Sequence, residues 1–391
     1  MTRRLEILSV YLTGFLQGLV LVVVPSAGLV FTGPNGFDFS SSEYGALFIP
    51  QVLGAIVACL LGPSLAKQWG IKTVYRIGLF FNVLAMSLIA ASQGVMANHH
   101  MAYAFVILGT GFVGAAFGLT LPAINVYATN FFPNRSASAL SVLYTLLGAG
   151  TALAPYLVTV LVWVGWWLLP LYVAWVLMVL WAATFILSLQ DQRLVSDGVS
   201  PIKDGAFLPS RVKLFMLIIF LYGFCETIFA NWAIIFLNKE KGFSLEDAGY
   251  ALAAFWVMVS VGRLLISILS IWVSAKWIYM ILPVFITMAL LATAKVSNAT
   301  GGVLLFGFAG LACSGFFPLT FSFGQKGFEY IAERVSGWIM AAYMLGFGVA
   351  AYGVGQVIEK TYTTLGVLYR DSTIIALVVF FLTYRAVARS K

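Results

Sequence analysis

Read from its first residue, the chain alternates between long apolar runs and short polar breaks. About 20 apolar residues are what an α-helix needs to cross the hydrocarbon of a bilayer, and twelve such runs can be placed. They cover Leu5–Phe31, Glu43–Ala66, Thr73–Val95, Met101–Thr129, Ser136–Val160 and Gly165–Leu189. The second set covers Val212–Leu237, Gly249–Ile271, Ala275–Ala294, Gly302–Gln325, Val335–Ile358 and the shorter Ser372–Val387. The breaks carry turn chemistry: Pro34, Asn35, Gly36 and Asp38 after the first run, Asn98, His99 and His100 before the fourth, NKEKGFSLEDA after the seventh. Residues 190–211 form one longer polar break near the midpoint, with Asp191, Arg193, Asp197, Lys203 and Asp204 among Gly and Pro. The pattern predicts an all-α polytopic membrane protein: a six-helix half over 1–189, a linker over 190–211 and a second six-helix half over 212–391.

Composition agrees. The chain is 61% hydrophobic and 9% charged, with mean hydropathy +0.98; soluble domains carry about 25% charged residues. A net charge of +8 is therefore not a nucleic-acid footprint but a question of loop placement. With the N-terminus inside, 17 of the 22 basic residues fall in inside loops, and Lys239, Lys241, Lys295, Lys360 and Arg370 fall outside. That asymmetry predicts both termini in the cytoplasm. The first run is too long for a cleavable leader and has no small-residue cleavage site, so it is read as the first span. Cys59, Cys225 and Cys313 lie in apolar segments without CxxC spacing and read as small hydrophobes. His99 and His100 read as solvated loop residues. Trp163, Trp166 and Trp167 fit an interfacial belt.

The halves echo each other. GLTLPAINVYA in the fourth run answers GFFPLTFSFGQ in the tenth, with Pro122 matching Pro318. Arg135 answers Arg334, and YTLLGAG in the fifth run answers YMLGFG in the eleventh. At a nearly constant offset these matches predict duplicated halves.

The seventh run holds the one ionisable group that bears on chemistry, Glu226 in FLYGFCETIFANWAIIFL. A carboxylate inside a membrane helix costs about 2.5–3.5 kcal/mol on insertion scales, so it faces a cavity or a partner. Tyr222 shares its helix face one turn earlier, and Asn231 and Trp232 follow. Two readings stand: a proton- or solute-binding acid, or a neutral carboxyl bonded to a neighbouring helix.

Twelve spans, a midpoint linker and similar halves resemble the major facilitator superfamily over nearly the whole chain. The turn PSLAKQWGIK after the second run is similar to the superfamily's GxLaDrxGrk loop. Leu65, Ala66, Gly70 and Lys72 fit, Pro63 stands at the first Gly, and Lys67 stands at the acid that helps lock the family's outward-open state. The second half resembles the fucose–galactose–proton symporters in YGFCETIFANW, GFSLEDAG, Phe255–Trp256 and Gly262–Arg263, as does NFFPNR after the fourth run. Gly14 and Pro25 keep that group's first-span pattern. Leu21 replaces its coupling Asp, and Leu119 and Thr120 stand where an acid is expected in the fourth run. Only Glu226 remains as a membrane-embedded acid.

The resemblance implies secondary transport by alternating access, with substrate near the midplane between the halves. Candidate substrate-binding residues are Gln17, Asn125, Tyr144, Tyr222, Glu226, Asn231, Trp232, Trp256 and Tyr343, with Glu226 also the candidate for proton coupling. Lys67, Arg135, Arg263 and Arg334 are candidate gating residues; Arg263 pairs with an acid, caps helix carbonyls or snorkels. Glycines of FGLTLPAIN, LLGAG and LGFG are expected where helices of the two halves approach. No nucleotide, zincin or nucleophile–base motif appears, so no cofactor, metal or enzymatic activity is expected. Expected partners are a small-molecule substrate, a coupling proton and the lipid bilayer, with no nucleic acid, and the chain is expected to act as a monomer in the inner membrane. An exporter of amphipathic or cationic compounds and a non-transporting receptor or scaffold remain open alternatives.

Overall fold

A computed structural model of the chain describes residues 2–189, 209–328 and 332–388. Most of the 190–211 break, and the side chain of Arg334, lie outside the described residues. Among the described residues there are twelve helices long and apolar enough to span a membrane and no strands. They are Arg3–Thr32, Ser41–Trp69, Ile71–Val95, His99–Phe131, Ser138–Leu161 and Leu168–Ile186, then Ser210–Glu240, Leu245–Leu269, Ala275–Ala294, Ala299–Gln325, Val335–Thr361 and Leu365–Val387. The chain divides into two compact units, Met1–Leu194 and Val195–Lys391.

The two units pack by one scheme. In the first, span one packs on five, two on four, three on four and three on six. In the second, seven packs on eleven, eight on ten, nine on ten and nine on twelve. The close crossings are made by glycines at matching places, because only the missing Cβ lets two backbones approach so nearly. A Cβ on Gly150 would lie 2.0 Å from the Phe15 carbonyl oxygen, and one on Gly346 would lie 2.0 Å from that of Phe220. Gly118 faces Ala55 and Cys59, and Gly310 faces Phe255. These glycines therefore serve crossings within one half.

Several boundaries move for local reasons. The second span starts at Ser41 because Ser40 and Glu43 form a reciprocal capping box. The twelfth begins at Leu365, seven residues before the expected Ser372. Its first turn is capped by the Glu240 carboxylate, which accepts from Leu365 N–H and Gly366 N–H, and Arg370 pairs with Asp371 along the helix rather than in a loop. Gly70 holds φ 82 between the second and third spans, a left-handed turn open to glycine.

The loop after the first span is not merely polar. Phe31, Phe37 and Phe39 pack together, and Trp166 meets Phe31 edge-on at 5.2 Å. Trp166 is 5% exposed and donates to Gln93 Oε1 at 2.7 Å, while Trp163 stays exposed. His99 is not simply solvated either. Its Nε2 lies 2.8 Å from Glu43 Oε1, and Phe39 packs on its ring.

Candidate functional site

Polar groups inside the spans must find partners, because hydrocarbon offers none. In the second unit they converge on Glu226, near the middle of Ser210–Glu240 and 6% exposed. Tyr343 of the eleventh span donates its hydroxyl to Glu226 Oε2 at 2.8 Å. Tyr222 stacks on Tyr343 with ring centroids 6.3 Å apart, and Phe316 stacks on Tyr222 at 4.8 Å. The Tyr222 hydroxyl donates to the Cys313 carbonyl at 2.9 Å. Behind it an apolar crevice lined by Cys225, Pro283, Ile286, Ala376 and Val379 has no room for water. The side chains of Tyr222, Asn231 and Trp232 are enclosed, the last two engaged by neighbours. Trp256, on the eighth span, is half-buried, and its Nε1–H has no acceptor.

Arg263 donates its Nε–H to the Ser314 carbonyl at 3.4 Å. This contact fits the carbonyl-capping reading of Arg263.

The first unit holds two polar groupings. Gln17, Asn82 and Thr120 are fully buried, and Asn82 Nδ2 donates to Gln17 Oε1 at 2.8 Å and to Thr120 Oγ1 at 3.4 Å. Gln17 thus spends its carbonyl on a neighbouring helix and is enclosed, while its Nε2 finds no partner among the described residues. Asn125 and Tyr144 form the other. Asn125 Nδ2 donates to the Tyr144 hydroxyl at 3.0 Å, Tyr144 is exposed, and Asn125 Oδ1 accepts nothing.

Sequence reasoning missed Asn82, although a lone amide in the apolar run GLFFNVLAM is itself a signal. It also missed what the basic turn does. Lys72 Nζ donates to the Leu187 carbonyl at 2.8 Å, and Arg76 donates to the Thr184 carbonyl at 2.8 Å while lying over the Phe185 ring. Two cations so cap the C-terminal carbonyls of the sixth span, where the helix dipole favours positive charge. Lys67 and Arg135 are exposed at span ends.

Comparison with known proteins follows the same lines. The glucose/mannose transporter GlcP of Bacillus subtilis is 20% identical over 338 residues, 82% of this chain and 80% of its own. The nucleoside transporter NupG superposes with a TM-score of 0.78 at 16% identity, covering 98% of this chain and 99% of its own. The Fucose:proton symporter FucP of E. coli superposes with a TM-score of 0.66 at 15% identity, covering 99% of both chains. The Major Facilitator Superfamily description matches residues 7–351. With its twelve spans and duplicated packing, this chain belongs to the Major Facilitator Superfamily and is a multi-pass membrane transporter, not an enzyme.

Proposed function

We propose that the chain couples proton movement to the transport of a small polyhydroxylated solute of the monosaccharide class, with access alternating between the two membrane faces. The observation that carries this reading is Glu226. A single carboxyl sits mid-span, shielded from solvent, with one phenol donor on it. Carrying it across the membrane charged costs about 2.5–3.5 kcal/mol, and taking up a proton removes that cost. The carboxyl is therefore suited to load and unload a proton once per cycle.

The solute class rests on the remaining polar atoms. Asn125 Oδ1 is an acceptor and Trp256 Nε1 a donor without partners among the described residues, and Tyr144 offers a hydroxyl beside Asn125. Neutral donors and acceptors suit hydroxyl groups. Similarity to GlcP, a glucose/mannose transporter, and to FucP, a Fucose:proton symporter, supports the same reading. The basic-residue asymmetry supports cytoplasmic termini in the inner membrane.

The test is reconstitution in proteoliposomes with labelled monosaccharides. Wild-type protein is expected to accumulate one of them under an imposed proton gradient and to lose accumulation with a protonophore. Glu226→Gln is expected to lose accumulation while keeping counterflow. Unchanged accumulation and pH profile in Glu226→Gln would remove this residue from coupling, and absence of counterflow with every sugar would remove the solute class.

A further inference from the structure

The duplicated packing lets one place be compared in the two units. Phe15 and Phe220 lie at matching crossings, under Gly150 and Gly346. Gln17 stands two positions after the first and Tyr222 two after the second. Tyr75 and Tyr279 match as well. Each is the fifth residue of its span, fully buried, and shares a hydrogen bond with a threonine hydroxyl, Thr13 or Thr320. Seven positions on stand Asn82 and Ile286. Two positions before the matched Pro122 and Pro318 stand Thr120 and Phe316. Gln17, Asn82 and Thr120 therefore hold in the first unit the place that Tyr222, Ile286 and Phe316 hold in the second.

In the second unit that place is dry. Tyr222 stacks on Phe316 at 4.8 Å, and with Ile286 it lines the crevice that has no room for water. In the first unit the place is two amides and a hydroxyl, all 0% exposed. Gly78 lets them meet. A Cβ there would lie 2.3 Å from Thr120 Oγ1, so the third span closes on the fourth one turn before Asn82.

A buried polar atom without a partner is expensive, and a protein or water group normally satisfies it. Asn82 spends its Nδ2 on Gln17 Oε1 and Thr120 Oγ1. Gln17 Nε2 and Asn82 Oδ1 have no partner among the described residues. What remains on this bonded pair is thus one donor group and one acceptor. Turning both amides over leaves the same remainder. A group that accepts from an N–H and donates to a carbonyl is a hydroxyl, and water is the hydroxyl species that fits a wholly enclosed polar group. A metal cation is disfavoured. The third and fourth spans carry no acid, and the one acid of the first, Glu6, lies eleven residues before Gln17, about 16 Å along the axis. A cation so deep needs a nearer countercharge.

We propose that the Gln17–Asn82–Thr120 group is a binding site for ordered water, which accepts from Gln17 Nε2–H and donates to Asn82 Oδ1. The Thr120 hydroxyl, which accepts from Asn82 at 3.4 Å, is in place as a third partner. The water completes a polar joint between the first, third and fourth spans. Its counterpart in the second unit is a stack of rings. One half is thus joined at mid-span by water-mediated hydrogen bonds and the other by apolar contact.

Radiolytic hydroxyl-radical footprinting read by mass spectrometry tests the site, because radicals formed from a resident water oxidise the side chains beside it. Met86 is the reporter, 0% exposed and one turn past Asn82 on the same helix face. Cys225 is the control, 1% exposed and lining the dry crevice. A thiol is intrinsically at least as reactive as a thioether, so faster oxidation of Met86 than of Cys225 reports local water. That excess is expected in wild type and is expected to be lost in Asn82→Leu, with Cys225 unchanged. Should Asn82→Leu fail to fold, Gln17→Met keeps the volume, removes the N–H donor and reads the same loss. Met86 oxidised no faster than Cys225 in wild type, or at an unchanged rate in a folded variant, would overturn the proposal. So would a melting temperature that rises when sodium replaces choline at constant ionic strength in wild type and not in Asn82→Leu, since the guest would then be a cation.

Discussion

Replacing Gly346 by alanine tests the packing scheme on which the candidate site is hung. The new methyl would lie 2.0 Å from the Phe220 carbonyl oxygen. A comfortable carbon–oxygen contact is about 3.3 Å, so the seventh and eleventh helices must part by roughly 1.3 Å. The obstacle is backbone and cannot swing aside. Gly223 closes on the Tyr343 carbonyl at the same crossing, so that contact opens as well. Overpacking of this kind costs about 1–3 kcal/mol. At about 2–4 °C per kcal/mol for a unit of this size, the melting temperature should fall by roughly 2–12 °C. A thiol-reactive dye in detergent reads it, because Cys225 and Cys313 are buried and react on unfolding. Gly150→Ala, at the matching crossing of the other unit, should fall alike. Gly353→Ala on the same helix as Gly346 meets nothing within 4 Å and should hold or gain, alanine being the better helix former by about 0.5–1 kcal/mol. The reasoning fails if Gly346→Ala melts with wild type, or if Gly353→Ala falls as far.

Three further outcomes are expected. Tyr343→Phe leaves the ring in place and removes a phenol donor from Glu226, an interaction worth about 1.5–3 kcal/mol when the acceptor is charged; melting should fall by roughly 3–12 °C and uptake, measured well below that range, by at least about tenfold, and lowered melting with unchanged uptake would make the tyrosine structural. Glu240→Gln should loosen the first turn of the twelfth span by about 0.5–2 kcal/mol, read as faster deuterium exchange at the Leu365 and Gly366 amides; unchanged exchange there argues against the cap. Glu43→Gln should shift stability by less than about 1 kcal/mol, since the His99 and Glu43 side chains are 41% and 34% exposed and water screens the pair; a larger loss would mean the pair is shielded.

Much of the architecture was legible because a bilayer imposes a crude rule that sequence obeys locally. Twelve apolar runs, turn residues between them and echoing halves need no knowledge of which helix meets which. Even so, the twelfth span looked short. Arg370 read as an outside-loop residue, and the cap that lets a helix start at Leu365 comes from Glu240, 125 residues earlier. His99 read as solvated for the same reason, its partner being Glu43, 56 residues away.

Within the candidate site the division is similar. Glu226 stood out from sequence because an acid in hydrocarbon is expensive wherever its helix lies. What that acid touches was not legible. Only the folded second unit brings Tyr343 onto it, turns Tyr222 to the Cys313 carbonyl and sets Arg263 on the Ser314 carbonyl. That the Gln17 carbonyl is taken by Asn82, from another helix, was likewise not legible. Hydropathy and length are sums over neighbours in the chain, so the sequence determined the spans and the presence of a costly charge. Hydrogen bonds and countercharges join residues far apart in the chain, so the tertiary structure alone decided which polar groups are satisfied, which are left over and which act together.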